Sequence, residues 1–163
     1  MTRALLLLAA ALVLTGGARA AGGRVVVIDP GHDARANLAT EPIGPGSTTR
    51  KIKDGGGTHG VVNGIREPEL TLDVSLRLRR LLRAAGVRVV MTRTSTSGPS
   101  MGNVARARIA NASGAALFLR VHADGASSAS ARGTHTLTPA LRRGWTDDVY
   151  RSSRRPATLV QAE

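Results

Sequence analysis

The stretch that decides the fold is residues 24–33, RVVVIDPGHD. It contains four consecutive apolar residues, 25–28, and such a run predicts a strand buried on both faces, as in the middle of a parallel sheet. Pro30 and Gly31 break the run, because proline fixes the backbone and glycine frees it to turn. His32 follows at once. Since ligands bind at the carboxyl edge of open α/β sheets, we expect the imidazole at such an edge.

The next part of the chain predicts a strand–helix–strand unit. Residues 33–64 are rich in Gly, Pro, Ser, Thr and Asn without a sustained period, which predicts a long surface loop. A helix is predicted to begin at Glu67, where Pro68 suits the first turn, and to end near Gly86. A second strand over residues 87–91 would then pair in parallel with the first. The predicted apolar stripe of the helix is Leu70, Val74, Leu78, Leu81 and Leu82.

The second half repeats this pattern. We predict a helix over residues 104–112 and a buried strand over 116–121 that ends in His122 and a turn. Residues 132–138 alternate weakly and favour a fourth strand, 146–156 indicate irregular structure, and 157–163 indicate the first turns of a helix. The predicted fold class is α/β, with a mainly parallel, twisted sheet flanked by helices.

Two histidines and one glutamate are candidate metal ligands. His32 and His122 each follow a buried strand, so in a parallel sheet both imidazoles lie at one edge. Glu67 follows the long loop and begins the helix, which brings its carboxylate near that edge. Such a set holds Zn²⁺ with a fourth position open for water. A single histidine after a strand is more commonly a hydrogen-bonded turn residue, so the prediction depends on both following the same pattern.

The other candidates have alternatives that the sequence leaves open. His59 is a reserve ligand in a glycine-rich segment, and His135 is most simply a strand histidine. Asp29 and Asp124 either orient a ligand histidine or cap their turns.

The N-terminus predicts export. Arg3, an apolar run over residues 4–14 and the small-x-small ending Ala18-Arg19-Ala20 are typical of a signal peptide, here residues 1–20. The alternative is a retained anchor, but the run is shorter than the roughly 20 residues that span a bilayer. We expect a mature chain that begins near Ala21, forms one domain over residues 21–163 and has no stable membrane span.

Composition restricts the partners and the ligands. The 163-residue chain has no cysteine, so any metal site must use His, Asp or Glu. The net charge of +12 would suggest nucleic acid for a cytoplasmic protein. Export instead favours anionic cell-wall polymers, or simply solvated arginines, and the three aromatic residues argue against nucleic-acid stacking. We expect no nucleic-acid partner and a secreted, periplasmic or cell-wall-associated protein.

Six segments carry a family resemblance. In order they are VVVIDPGHD, REPELTLDVSLRL, VVMTR, ARARIAN, ALFLRVHAD and ARGTHTLTP. From about residue 24 to 138 the chain resembles the zinc-dependent N-acetylmuramoyl-L-alanine amidases, which are bacterial cell-wall hydrolases. The resemblance implies hydrolysis of the amide between muramic acid and L-alanine in peptidoglycan. By motif position it implies His32, Glu67 and His122 as Zn²⁺ ligands; Glu67 is preferred to Glu69 because it precedes Leu70 by three residues.

Two departures from the family pattern stand out. Arg120 occupies the place of a small serine before the second histidine, and we expect its side chain to point away from the face on which the His122 turn opens. The family's catalytic glutamate lies in a late V-E-x-G-F-like strand, and no such segment occurs before Glu163. We therefore expect that glutamate beyond Glu163 and a C-terminally incomplete catalytic domain with late strands missing. We expect no catalytic base within this chain; the alternative is that Glu163 replaces it.

These expectations leave three functional hypotheses. The first is a zinc amidase of peptidoglycan. The alternative is a catalytically impaired or inactive fragment that acts as a cell-wall-binding module, because a missing acid–base group typically removes 10²–10⁴-fold of rate. The third is a zinc hydrolase of another amide or ester.

Overall fold

The computed structural model describes residues 23–128, 130–131, 133–139, 151 and 153–154. The chain divides into two units, residues 20–125 and a second unit of residues 1–19 and 126–163. All the strands and long helices described below belong to the first unit. In the second, residues 133–139 form no strand, although a fourth strand was predicted there, and residues 151, 153 and 154 are helical rather than irregular. The predicted helix at 157–163 lies outside the described residues.

The first unit is built on a three-stranded parallel sheet. Strand β1, Val25–Pro30, lies between strands β4, Arg88–Met91, and β5, Ala115–Val121. In the register, Val26 lies opposite Val89 on one side, and Val27 lies opposite Phe118 on the other. Every residue of β1 is buried, as a central parallel strand requires. The predicted α/β class and the parallel pairing are confirmed.

Two helices flank this sheet, α1, Glu67–Ala84, and α2, Asn103–Ala112. Both were predicted to within about two residues. The buried stripe of α1 differs from the prediction in its first half: Leu70 is 42% exposed, whereas Thr71 is buried. Thr71 packs under the turn after β1 and donates a hydrogen bond of 2.8 Å from Oγ1 to the Gly31 carbonyl. A small hydroxyl satisfies that buried carbonyl, which a leucine could not do.

The segment predicted as one long loop contains a β-hairpin, which corrects the prediction for residues 33–64. Strands β2, Asn37–Pro42, and β3, Arg50–Asp54, pair antiparallel. Both strands are largely exposed, and Leu38 is 70% exposed. They therefore lack the apolar alternation that identifies a half-buried strand in a sequence.

The hairpin is fastened to α2 by Glu41. Helix α2 begins after Gly102, which has no side chain to cap it. The Glu41 carboxylate replaces that cap: it accepts hydrogen bonds from the backbone N–H of Asn103 at 2.6 Å and of Val104 at 3.2 Å. Burial alone would raise the pKa of Glu41, but these bonds and one from the Asn103 side chain outweigh it and hold the pKa below its usual range.

The apolar core lies on both faces of β1. On one face Val25, Val27 and Ala110 form a buried cluster against Phe118. Leu78 and Leu82 of α1 are also buried. Among the described residues no helix combines the length and apolar character needed to cross a membrane.

Candidate metal centre

The turn after β1 and the end of β5 approach each other closely because residue 31 is glycine. Gly31 donates a backbone hydrogen bond of 2.8 Å to the Val121 carbonyl. A Cβ at position 31 would lie 2.5 Å from Cε1 of His122 and 2.7 Å from the Val121 oxygen. The next residue, His32, adopts a left-handed backbone with φ of 57°. The PGH turn thereby brings the two histidines of the two predicted strand ends together.

Glu67 is fixed from both sides by backbone donors. Its side chain is buried at the first residue of α1. Oε1 accepts a hydrogen bond of 2.9 Å from the Ala123 N–H, and Oε2 accepts one of 2.9 Å from the Thr58 N–H. Burial alone would raise the pKa of Glu67, but these two hydrogen bonds and the facing His32 outweigh it and lower the pKa below its usual range. The group is therefore a carboxylate at neutral pH.

The three predicted ligands converge on one point. Glu67 Oε1 lies 3.6 Å from His32 Nε2 and 3.1 Å from His122 Nδ1. One ligand atom from each residue lies within 4.8 Å of the other two, and the imidazole rings are nearly perpendicular at 88°. Tetrahedral Zn²⁺ with bonds of about 2.0–2.1 Å places its ligand atoms roughly 3.3 Å apart. The spacing and the N, N, O donor set therefore fit zinc.

Asp54 orients His32, a role that sequence reasoning missed. Its Oδ1 lies 2.6 Å from His32 Nδ1, while its oxygens also accept hydrogen bonds of 2.8 Å from the backbone of Asp33 and Gly56. Burial alone would raise the pKa of Asp54, but the bonds to His32, Gly56 and Asp33 outweigh it and lower the pKa. An ionised Asp54 places the imidazole proton on Nδ1, so Nε2 presents its lone pair toward Glu67. The only sequence signal was an aspartate before three glycines, which instead suggested a flexible loop.

His122 is kept neutral by its surroundings. Partial burial lowers its pKa, and the neighbouring Arg120 cation lowers it further; the facing Glu67 only partly opposes this. A neutral imidazole is the form that binds a metal.

Asp29 neither orients a ligand histidine nor caps its turn, which were the two roles that the sequence suggested. Its carboxylate is fully buried and ion-paired with Arg106 Nη1 at 2.5 Å and Arg120 Nε at 2.7 Å. Arg106 also reaches Asp33, with Nη2 2.6 Å from Oδ2. Asp29 thus belongs to a buried ionic network of Asp29, Asp33, Arg93, Arg106 and Arg120 beneath the metal centre, and it contacts no ligand histidine.

Arg120 was predicted to point away from the face on which the His122 turn opens, and the structure corrects this prediction. It lines a cavity of about 320 Å³ together with His32, His122 and Asp54. Strand β5 ends at Val121, so Arg120 belongs to the strand and His122 to the turn after it. Because both residues line the cavity, the guanidinium lies on the side of the His122 imidazole.

Among the described residues, the other candidates are not part of the cluster of His32, Glu67 and His122. His59 is exposed and forms an isolated backbone bridge with Arg66. Glu69 is exposed, and its carboxylate accepts a hydrogen bond from the Arg66 N–H. Asp124 is exposed, and His135 belongs to the second unit. Glu163 lies outside the described residues.

A parallel sheet, and a His–Glu–His cluster where two of its strands end, define an α/β domain with a candidate metal centre. The sequence matches the family model described as N-acetylmuramoyl-L-alanine amidase over residues 26–163. The chain belongs to this family.

Individual relatives agree. The chain is 37% identical over 118 residues to N-acetylmuramoyl-L-alanine amidase Rv3717 of Mycobacterium tuberculosis, covering 69% of this chain and 46% of that protein. It is 30% identical to the amidase AmiA of Escherichia coli, covering 76% of this chain and 35% of AmiA.

Solved structures show the same relation. Ami1 from Mycobacterium smegmatis matches with a TM-score of 0.58 and 32% identity over 64% of this chain and 48% of that one. The apo form of Ami1 from Mycobacterium abscessus matches with a TM-score of 0.59 and 31% identity over 65% and 50%. The chain thus spans half or less of the length of these relatives.

Proposed function

We propose that this protein binds Zn²⁺ and acts in the hydrolysis of the amide between N-acetylmuramic acid and L-alanine in peptidoglycan. The observation that carries the proposal is the convergence of His32, Glu67 and His122 in a chain of the amidase family. These three residues would hold the metal. When bound, zinc supplies a Lewis acid that polarises a carbonyl and lowers the pKa of water towards ~7.

The chain's own residues keep this ligand set in place. Asp54 accepts a hydrogen bond from the Nδ1–H of His32 and so directs Nε2 toward the metal centre. The backbone of Ala123 and Thr58 holds the two Glu67 oxygens. The imidazoles and the carboxylate therefore need little rearrangement on metal binding, which favours affinity because the ordering is already present.

A second candidate function is a wall-binding module that does not hydrolyse its ligand. One observation favours it: within residues 23–125, Asp54 and Glu67 at the site are each already engaged with a histidine. Hydrolysis also needs a group that takes up and delivers protons, typically for 10²–10⁴-fold of rate.

We place the site of action outside the cytoplasmic membrane. The apolar run of residues 4–14 between Arg3 and Ala18-Arg19-Ala20 supports this, and so does a charge that stays at +10 without residues 1–20. A basic surface suits anionic wall polymers.

The test is zinc content and amide hydrolysis by the full-length gene product, compared with His122→Ala and with Asp73→Asn as a matched control. Asp73 lies in an exposed ion pair with Arg77 on α1. We expect one zinc per chain by native mass spectrometry in the wild type and in Asp73→Asn, and none in His122→Ala. We expect new L-alanine N-termini from peptidoglycan only in the zinc-bound forms.

Each other outcome favours an alternative. Zinc binding with wall binding but no hydrolysis supports the second candidate. Hydrolysis of simple peptides or esters in preference to the muramoyl amide supports a different zinc hydrolase. A zinc-free wild type contradicts the proposal, and a mass that still includes Met1 after secretion contradicts the cleavage after Ala20.

A further inference from the structure

The cavity beside the metal centre has an unusual surplus of positive charge. Lys51 and Lys53 of β3, together with Arg106 and Arg120, line the same cavity as His32 and His122. The acidic side chain in that lining is Asp54, which is already paired with His32. A divalent ion at the metal centre would be balanced only by the carboxylates of Glu67 and Asp54 together, so neither is left to offset the basic wall.

In the buried ionic network, guanidinium groups outnumber carboxylates, and the exposed fraction of each side chain shows which of them faces the cavity. Two carboxylates, Asp29 and Asp33, face three guanidinium groups. Arg93 and Arg106 are buried, and each lies against these carboxylates and backbone carbonyls. Arg120 is 37% exposed at its side chain, so the surplus charge faces the cavity.

Arg120 is held by one edge and open at the other. Its Nε donates to Asp29 Oδ2 at 2.7 Å, which fixes the plane of the guanidinium. In the part of the chain that the structure describes, Nη1 and Nη2 make no hydrogen bond. A guanidinium with a fixed plane and free N–H groups matches the two oxygens of a carboxylate.

We propose that Arg120, with Lys51 and Lys53, forms a carboxylate subsite that binds an acidic residue of the substrate peptide while the scissile amide lies at the metal centre. The inference rests on the proposed function, which places a peptide in this cavity. Arg120 and His122 line the same cavity, which sets the subsite beside the ligand histidine. The two lysines add point charges from the hairpin side of the cavity.

The test measures binding of a peptide that the enzyme cannot hydrolyse at the muramoyl amide. The zinc-loaded full-length protein is titrated by NMR with L-alanyl-D-glutamate and with the same dipeptide amidated at both carboxyl groups. Hydrogen bonds to charged groups lead us to expect about 10-fold or tighter binding of the acid form. Arg120→Ser should abolish that preference, Arg120→Lys should retain part of it, and Arg80→Ser, an exposed arginine on α1, should leave it unchanged.

The outcomes separate this inference from the proposed function. Equal binding of both dipeptides, or of neither, overturns the subsite, while zinc content and muramoyl-amide hydrolysis judge the proposed function independently. Inorganic phosphate that binds as tightly as the acid dipeptide also overturns it, because the site would then be a general anion site. If Arg120→Ser does not fold, the double variant Lys51→Gln/Lys53→Gln on β3 is measured instead. A preference for the acid dipeptide that stays at its wild-type value both in this double variant and in Arg120→Lys counts against the proposal.

Discussion

The metal centre and the buried ionic network lie next to each other and both contain buried carboxylates, yet they differ in what those carboxylates face. Asp29, near the end of β1, and Asp33, in the turn that follows, lie on either side of His32 in the sequence. In the network, each carboxylate meets guanidinium donors at 2.5 to 2.7 Å. At the metal centre, Nε2 of His32 and a carboxylate oxygen of Glu67 face each other 3.6 Å apart.

The difference distinguishes a structural cluster from a binding site. Matched donors and acceptors satisfy each other and leave nothing for a ligand. Acceptor atoms that converge, each held in place by a hydrogen bond on its far side, are stable only when a cation or protons join them. Buried charge is therefore common to the ionic network and the metal centre. The direction of the ligand lone pairs is what distinguishes the metal centre.

The largest expected effect breaks the network. Arg106→Met leaves Asp29 and Asp33 buried with a lost partner, and removing one member of a buried ion pair typically costs about 3–5 kcal/mol. Urea unfolding should show this loss in the free energy of unfolding. Arg77→Met is the control, because its exposed pair with Asp73 is worth only about 0.3–0.5 kcal/mol. Equal losses in the two variants would mean that the network contributes no more than a surface pair.

A smaller effect is expected when the metal centre loses its orienting group. Asp54→Ala frees the His32 ring to rotate, and loss of such a partner typically lowers metal affinity 10–100-fold. Competition with a zinc chelator measures the dissociation constant. Asp54→Asn, which keeps an acceptor near Nδ1, should recover part of the affinity, and Asp73→Asn should not change it. An unchanged affinity in Asp54→Ala would contradict the role of Asp54 in orienting His32 for the metal.

The smallest expected effect concerns Glu41, a carboxylate whose hydrogen-bond donors are neutral rather than charged. Glu41→Gln should lower the free energy of unfolding by about 1 kcal/mol at neutral pH, the typical worth of a helix cap. The folded pKa of Glu41 lies below its unfolded value, so its stabilisation is complete above about pH 4.3 and is lost as the pH falls through the folded pKa. Urea unfolding of both proteins from pH 7 to pH 3 should show the two stabilities converge. A difference that stays constant with pH would contradict this account of the cap.

Local pattern was enough for the three parallel strands, for both helices and for the identity of the three converging residues. The apolar run 25–28 predicts β1 because burial on both faces needs no more than consecutive apolar side chains. Glu67 and Pro68 predict the start of α1 because a helix N-terminus favours acids and tolerates proline. The pattern of a strand that ends in histidine placed His32 and His122 at one edge, where the structure brings them together.

Only the tertiary structure decided the partners. Asp54 meets His32 across 22 residues, Glu41 meets Asn103 across 62, and Arg106 meets Asp29 across 77. Periodicity is a property of neighbours within one element, so it contains no information about which distant side chain a carboxylate will find. The exposed hairpin lacked the alternation of apolar and polar residues that burial imposes. The direction of the Arg120 side chain depends on Asp29, whose carboxylate is buried where β1 pairs with β5.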